Sequence, residues 1–242
     1  MKITKKYLLQ LFDKFRNSTY GKKLSCQLRY GIFKPKDISF EEWVFYLGPN
    51  GNNLEHMVNT YNQTIELLKN SDLATDQKDR LYLAALIHGC GESIVGDVNY
   101  LIKTKNDELE EEKAFKKILS ELVHDTAEQN LILDAYIGIA MEPKTKLGEV
   151  FNAVERIGYI SDAFRMGKLI QSSKYGNHNK IFRSIIDGIV PSQTEKLIEY
   201  SKVYSFVAKY LQKNKEEIST MSKYIDTDKN NNYRKLWASY IE

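Results

Sequence analysis

Apolar residues recur at helical spacing through most of this chain. Over residues 3–17, Ile3, Tyr7, Leu8, Leu11, Phe12 and Phe15 fall on one face of a 3.6-residue repeat, which predicts an amphipathic helix. Residues 18–37 break that pattern with glycines and mixed polar positions and read as an irregular arm, with LRYGIF as a short strand. Asp37 then caps a helix over 38–47, and the loop GPNGNN ends in Asn53, the cap of a helix running to about residue 70. Its stripe is Leu54, Met57, Val58, Tyr61, Ile65 and Leu68, with His56 beside it. Thr75 or Asp76 caps the next helix, which ends at His88.

Past residue 103, acids precede lysines through Glu108–Lys117, the pattern of a surface helix with a solvated face. A more apolar helix covers 127–141, with Asp125 as its cap and His124 on the surface. Pro143 interrupts it, and 146–172 restarts as a long helix carrying Val150, Val154, Ile157, Ile160, Phe164 and Ile170. From residue 179 three more helices follow, with a boundary at Pro191-Ser192 and a loop at 226–233. His178 sits in a polar Gly-Asn loop and receives no role.

Composition narrows the class. The chain has 242 residues, 42% hydrophobic, enough to bury one good core. Only 4 Pro and 13 Gly argue against a sandwich or barrel and for long helices. The reading is an all-α protein, with residues 1–177 a helical domain with an N-terminal arm and 178–242 a C-terminal helical extension packed on it. With 35 basic against 32 acidic residues, no large basic field calls for nucleic acid. Cys26 and Cys90 make neither a disulfide framework nor a zinc site. No apolar run suits a signal peptide or a membrane span, so a cytoplasmic protein is expected.

The chemistry gathers at residues 81–103, LYLAALIHGCGESIVGDVNYLIK. An apolar run delivers His88, Gly89 and Gly91 break the helix, Glu92 comes next, and Gly96-Asp97 lies a short turn later. With His56 upstream and Asp162 inside an apolar helix, the ordered set is His56, His88, Glu92, Asp97 and Asp162. Two neutral imidazoles and one carboxylate can hold one divalent ion and leave positions for water. Glu92, four residues past His88, is placed to move a proton, and Asp97 to orient a ligand. By default a helical histidine is core or surface and loop carboxylates are solvated. Asp162 differs, because an acid among apolar neighbours is costly to bury unpaired.

These residues resemble the HD-domain phosphohydrolases, within them the 5′-deoxynucleotidase-like branch. The resemblance rests on Glu55-His56, on LIHGCGESIVGDV, on Lys103 and the Glu108–Lys117 helix, on ISDAF around Asp162, and on the lead-in FKPKDISFEEWVFYLG. It covers roughly residues 18–172. It implies an all-α HD-type bundle with extra C-terminal helices, and hydrolysis of a nucleotide phosphate ester, a nucleoside monophosphate first. It also implies a divalent metal ion (Mn, Co, Fe, Mg or Zn) on His56, His88 and Asp162, with Glu92 as general acid/base beside Asp97. Arg29 is a candidate phosphate contact. The partners implied are a nucleotide or another small phosphorylated ligand, with room for a homodimer, and no membrane.

In one respect the chain departs from that pattern. The Asp of the HD pair is Gly89 here, which removes one anionic ligand, and Cys90 beside it is no substitute. The second reading is therefore a catalytically silent HD relative that binds a nucleotide or a protein partner. An HD oxygenase is disfavoured, since it would need more ligands than remain.

Overall fold

The computed structural model describes residues 2–98, 103–172, 178–226 and 229–241. Residues 99–102 of the central stretch, 173–177 of the Gly-Asn loop and 227–228 of the expected loop lie outside them. Among the described residues the chain is all-α: helices follow one another with no strand, and one isolated bridge joins Leu28 to Asn52. No described helix is long and apolar enough to cross a membrane. The contact pattern divides the chain into residues 1–152 and 153–242, inside one continuous helix.

The first unit opens with α1 (Lys5–Arg16), whose cap Thr4 accepts from the Tyr7 amide and whose buried face is Leu8, Phe12 and Phe15. The irregular arm is partly helical. Ser18 caps α2 (Thr19–Ser25) by accepting from the amides of Tyr20 and Gly21, a local signal outweighing the glycine at position 21. The strand expected at LRYGIF is absent. Tyr30 adopts a left-handed conformation (φ 52°) and starts a single 3-10 turn at Gly31–Phe33, so extended pairing stops after Leu28.

Ser39, not Asp37, caps α3 (Phe40–Leu47), and Asn52, not Asn53, caps α4 (Asn53–Leu68). Each cap accepts from the amide three residues on. α4 packs along α5 (Thr75–Ile87), which starts after Ala74. From Leu83 to Ile87 every residue of α5 is buried, so this end is enclosed on all sides rather than amphipathic. Each large side chain there contributes about 1.5–3 kcal/mol of burial. The helix end that delivers His88 is thereby fixed in the core.

A four-residue turn of helix, α6 (Glu92–Val95), comes next and rests on α7 (Lys105–Leu122). Within the charge run, Glu110, Lys113, Lys116 and Lys117 are exposed, yet Glu111 is buried, which corrects the reading of a uniformly solvated face. Asp125 caps α8 (Thr126–Ala135) as expected, and His124 is exposed. α8 then widens into a π-helical turn, Tyr136–Ala140, closed by the Met141 amide on the Tyr136 carbonyl. The long helix α9 (Lys146–Gln171) starts in this unit.

The second unit holds the rest of α9, then α10 (Asn179–Ser201), α11 (Ser205–Lys213), α12 (Lys215–Met221) and α13 (Asn231–Ile241). Pro191 is not a boundary: α10 runs through it, with Val190, Pro191, Gln193 and Thr194 all buried. Contacts with α11, α12 and α13 bury Ile185, Ile186, Leu197, Val207, Leu211, Ile218 and Trp237, burial that outweighs the amide hydrogen bond a proline removes. Asp187 on α10 ties the segment before α13 in place, accepting from the Asp226 amide at 2.8 Å and from Asn230 Nδ2 at 3.0 Å.

Candidate metal centre

His56 and His88 meet although 32 residues separate them. α4 presents His56 one turn from its capped start, α5 ends on His88, and the pairing of those helices sets the rings edge to face with centroids 5.1 Å apart. His88 Nδ1 lies 2.8 Å from the Ala85 carbonyl oxygen. A carbonyl only accepts, so Nδ1 carries the hydrogen and Nε2 is the atom left to bind. His56 is 6% exposed, and burial, then the fields of Arg29 and His88, hold its pKa well below the usual histidine value. That favours the neutral His56 ring that a metal requires.

Phe151, in the first turns of α9, sets its ring 5.5 Å from that of His88. Asp162 is buried further along α9, in the second unit. Two imidazoles suit a divalent ion that takes its further ligands elsewhere.

Glu92 stands at the start of α6, four residues past His88. Asn53, 1% exposed, donates from Nδ2 to Glu92 Oε2 at 2.8 Å, and Gln27 Nε2 donates to the Glu92 carbonyl at 3.0 Å. Burial first, then the charges of Asp97 and Glu111, push the Glu92 carboxyl well above the usual carboxylate range, while Arg29 and Lys103 pull against them. Asp97 itself is exposed and reaches Glu92 through its field.

Arg29 is buried, 7% exposed, rather than on the surface. Its amide donates to the Gly51 carbonyl, its carbonyl accepts from Trp43 Nε1 at 2.9 Å, and its guanidinium lies over the Tyr30 ring at 5.4 Å. The bridge between Leu28 and Asn52 thus lays the arm along the start of α4 and brings a fixed cation toward His56 and Glu92.

The Gly89 position admits a larger side chain only if Met57 gives way. A Cβ there would meet the Met57 side chain at 3.3 Å and stand 3.7 Å from Glu92 Oε2. Cys90 is 2% exposed and lines a small apolar cavity with Phe12, Phe115, Ile118 and Ile132. Burial, then the charges of Glu92 and Glu111, push its thiol pKa up, opposite to what a thiolate ligand needs. Comparison with protein-family models, with curated proteins and with solved structures returned no match for this chain.

Proposed function

We propose that this protein is an HD-type metal-dependent phosphohydrolase acting on a nucleotide phosphate ester, with a nucleoside monophosphate as the first substrate to try. The observation that carries this reading is the facing pair His56 and His88, with Glu92 on the turn that follows His88. His56, His88 and a carboxylate, Asp162 by the resemblance, would hold the ion. A divalent ion at such a centre lowers the pKa of its water and polarises a phosphoryl oxygen.

The other steps belong to the chain. Asn53 fixes Glu92 Oε2 as a hydrogen-bond acceptor, which leaves Oε1 to carry the proton. The raised pKa favours the protonated carboxyl that a leaving alkoxide oxygen needs. Arg29 supplies a fixed cation for the phosphate, and Asp97 orients the ligand at the exposed edge.

Metal content after purification without chelator and loading with manganese, cobalt or iron tests this reading. About one ion per chain, with release of phosphate from nucleoside monophosphates, is the expected outcome. Chains without stoichiometric metal would overturn it. Asp162→Asn is expected to weaken manganese binding by about 10–100-fold in the same assay, since the resemblance implies Asp162 as the carboxylate. Binding within a few-fold of the wild type would remove it from the ligands.

The second reading, a silent relative that binds a nucleotide or a protein partner, is favoured by Gly89. Gly89→Asp separates the two. Met57, being flexible, can yield to the new side chain, and the added carboxylate beside the histidines should tighten manganese binding at least about tenfold, measured by calorimetry. A gain in affinity with no gain in hydrolysis would support the silent relative.

A further inference from the structure

Groups that the metal centre does not use converge on the turn that carries Glu92. Glu111 is 4% exposed on α7. Its carboxylate accepts from the Tyr136 hydroxyl at 3.1 Å and pairs with Lys103 Nζ. Tyr136 is held in turn by stacking on Phe115, with centroids 3.8 Å apart and planes 14° apart.

These groups press directly on the turn. A Cβ added at Gly91 would stand 2.6 Å from Glu111 Cγ and its carbonyl oxygen, and 2.9 Å from the Tyr136 hydroxyl. The backbone one residue before Glu92 therefore lies against Glu111 with no space between. Lys103, its side chain 25% exposed, attracts Glu92 as well as Glu111. Around Glu92 the charged groups are Asp97, Glu111, Arg29 and Lys103, so Lys103 is one of two cations acting on it.

From this packing we infer that Glu111 is a positioning residue, which seats the Gly91 turn with its stem and holds Lys103 as the cation that orients the Glu92 carboxyl. The seating follows from the packing alone, whereas the orienting role rests on the hydrolase reading of Glu92. α7 and the π-helical turn thus act on the proton-transfer group without touching substrate. Glu111 also explains why an acid can be buried on an otherwise charged and exposed stretch: Lys103 offsets its charge and the Tyr136 hydroxyl donates to it, and its burial keeps the cation in place.

Amide exchange and steady-state kinetics on the full chain test the two halves separately. In Glu111→Gln, exchange at the Ser93, Ile94 and Gly96 amides should speed up at least about tenfold, with α10 unchanged. These amides bond to the carbonyls of Cys90, Gly91 and Glu92, so they report the turn itself. With manganese and a nucleoside monophosphate, Lys103→Met should lower kcat at least about tenfold at nearly constant KM, and Lys103→Arg should restore most of it. Should Glu111→Gln fail to fold, Tyr136→Phe supplies the exchange test. Unchanged exchange at the three amides would overturn the seating. Unchanged kcat in Lys103→Met, in a chain whose wild type hydrolyses the ester, would overturn the orienting role. A wild type that binds manganese but releases no phosphate would overturn the hydrolase reading and the orienting role together, leaving exchange to judge the seating.

Discussion

Replacing Glu92 by Gln is expected to lower kcat for phosphate-ester hydrolysis by about 10²–10⁴-fold, the usual range for a positioned proton donor, with metal content unchanged. Full turnover in this variant would remove Glu92 from the mechanism. The same variant carries a second signal that needs no activity. The folded carboxyl has its pKa raised, chiefly by burial and then by Asp97 and Glu111. On unfolding it returns to the ordinary carboxylate value, so the unfolded state releases the proton first as pH rises. The stability associated with protonated Glu92 is therefore complete below the ordinary carboxylate range and is lost as pH climbs toward the raised folded value. Glu92→Gln keeps the shape and lacks that titration. In metal-free protein its melting temperature should exceed that of the wild type at pH 8, and the difference should vanish at pH 4. A variant less stable than wild type at pH 8 would mean that the Asn53 contact, which Gln can keep only in one rotamer, outweighs the cost of the buried charge.

Gly91→Ala is expected to be the most damaging single methyl group in the site. Real Cβ contacts do not approach 2.6 Å, and one of the atoms met at that distance is the Glu111 backbone oxygen, which cannot swing aside. Either α7 or the Gly91 turn must move, at about 1–3 kcal/mol or more. Chemical denaturation should show that loss, and manganese binding should weaken because His88 and Glu92 flank the displaced turn. Gly188→Ala is the control. Its added Cβ would meet nothing within 4 Å, so stability should hold or rise slightly through helix propensity. If the two alanines behaved alike, the close approach at Gly91 would have no energetic weight.

The fold was readable where one rule dominated. The stripes Leu8, Phe12, Phe15 and Met57, Tyr61, Leu68 are buried as their spacing required, and Asp125 caps α8. Reading failed where local signals compete with packing. Pro191 looks like a stop, yet apolar neighbours on three other helices hold α10 through it. LRYGIF has strand-like residues, but Tyr30 turns left-handed and ends the pairing. In the site, His56 and His88 could be named from type and setting, and the structure brings them together. Glu111 could not be. A helix in a charged run gives no sign of which acid faces inward, since that depends on where the neighbouring helix lies. Tyr136 and Lys103 decide it for Glu111.

The π-helical turn at Tyr136–Ala140 carries a consequence for chain length. One residue more than an α-helix needs is absorbed there, and the connection to α9 is closed by Thr145, whose hydroxyl donates to the Gly138 carbonyl at 3.0 Å and accepts from the Gly148 amide at 3.0 Å. A deletion at Gly138 would restore an ordinary helical repeat and break the first of these bonds, and it would rotate the first turns of α9 by about 100°. Phe151, which rests on His88, would leave that ring with neither histidine altered. Related chains that keep this centre should therefore vary freely in side chains across 137–147 and hardly at all in the number of residues there.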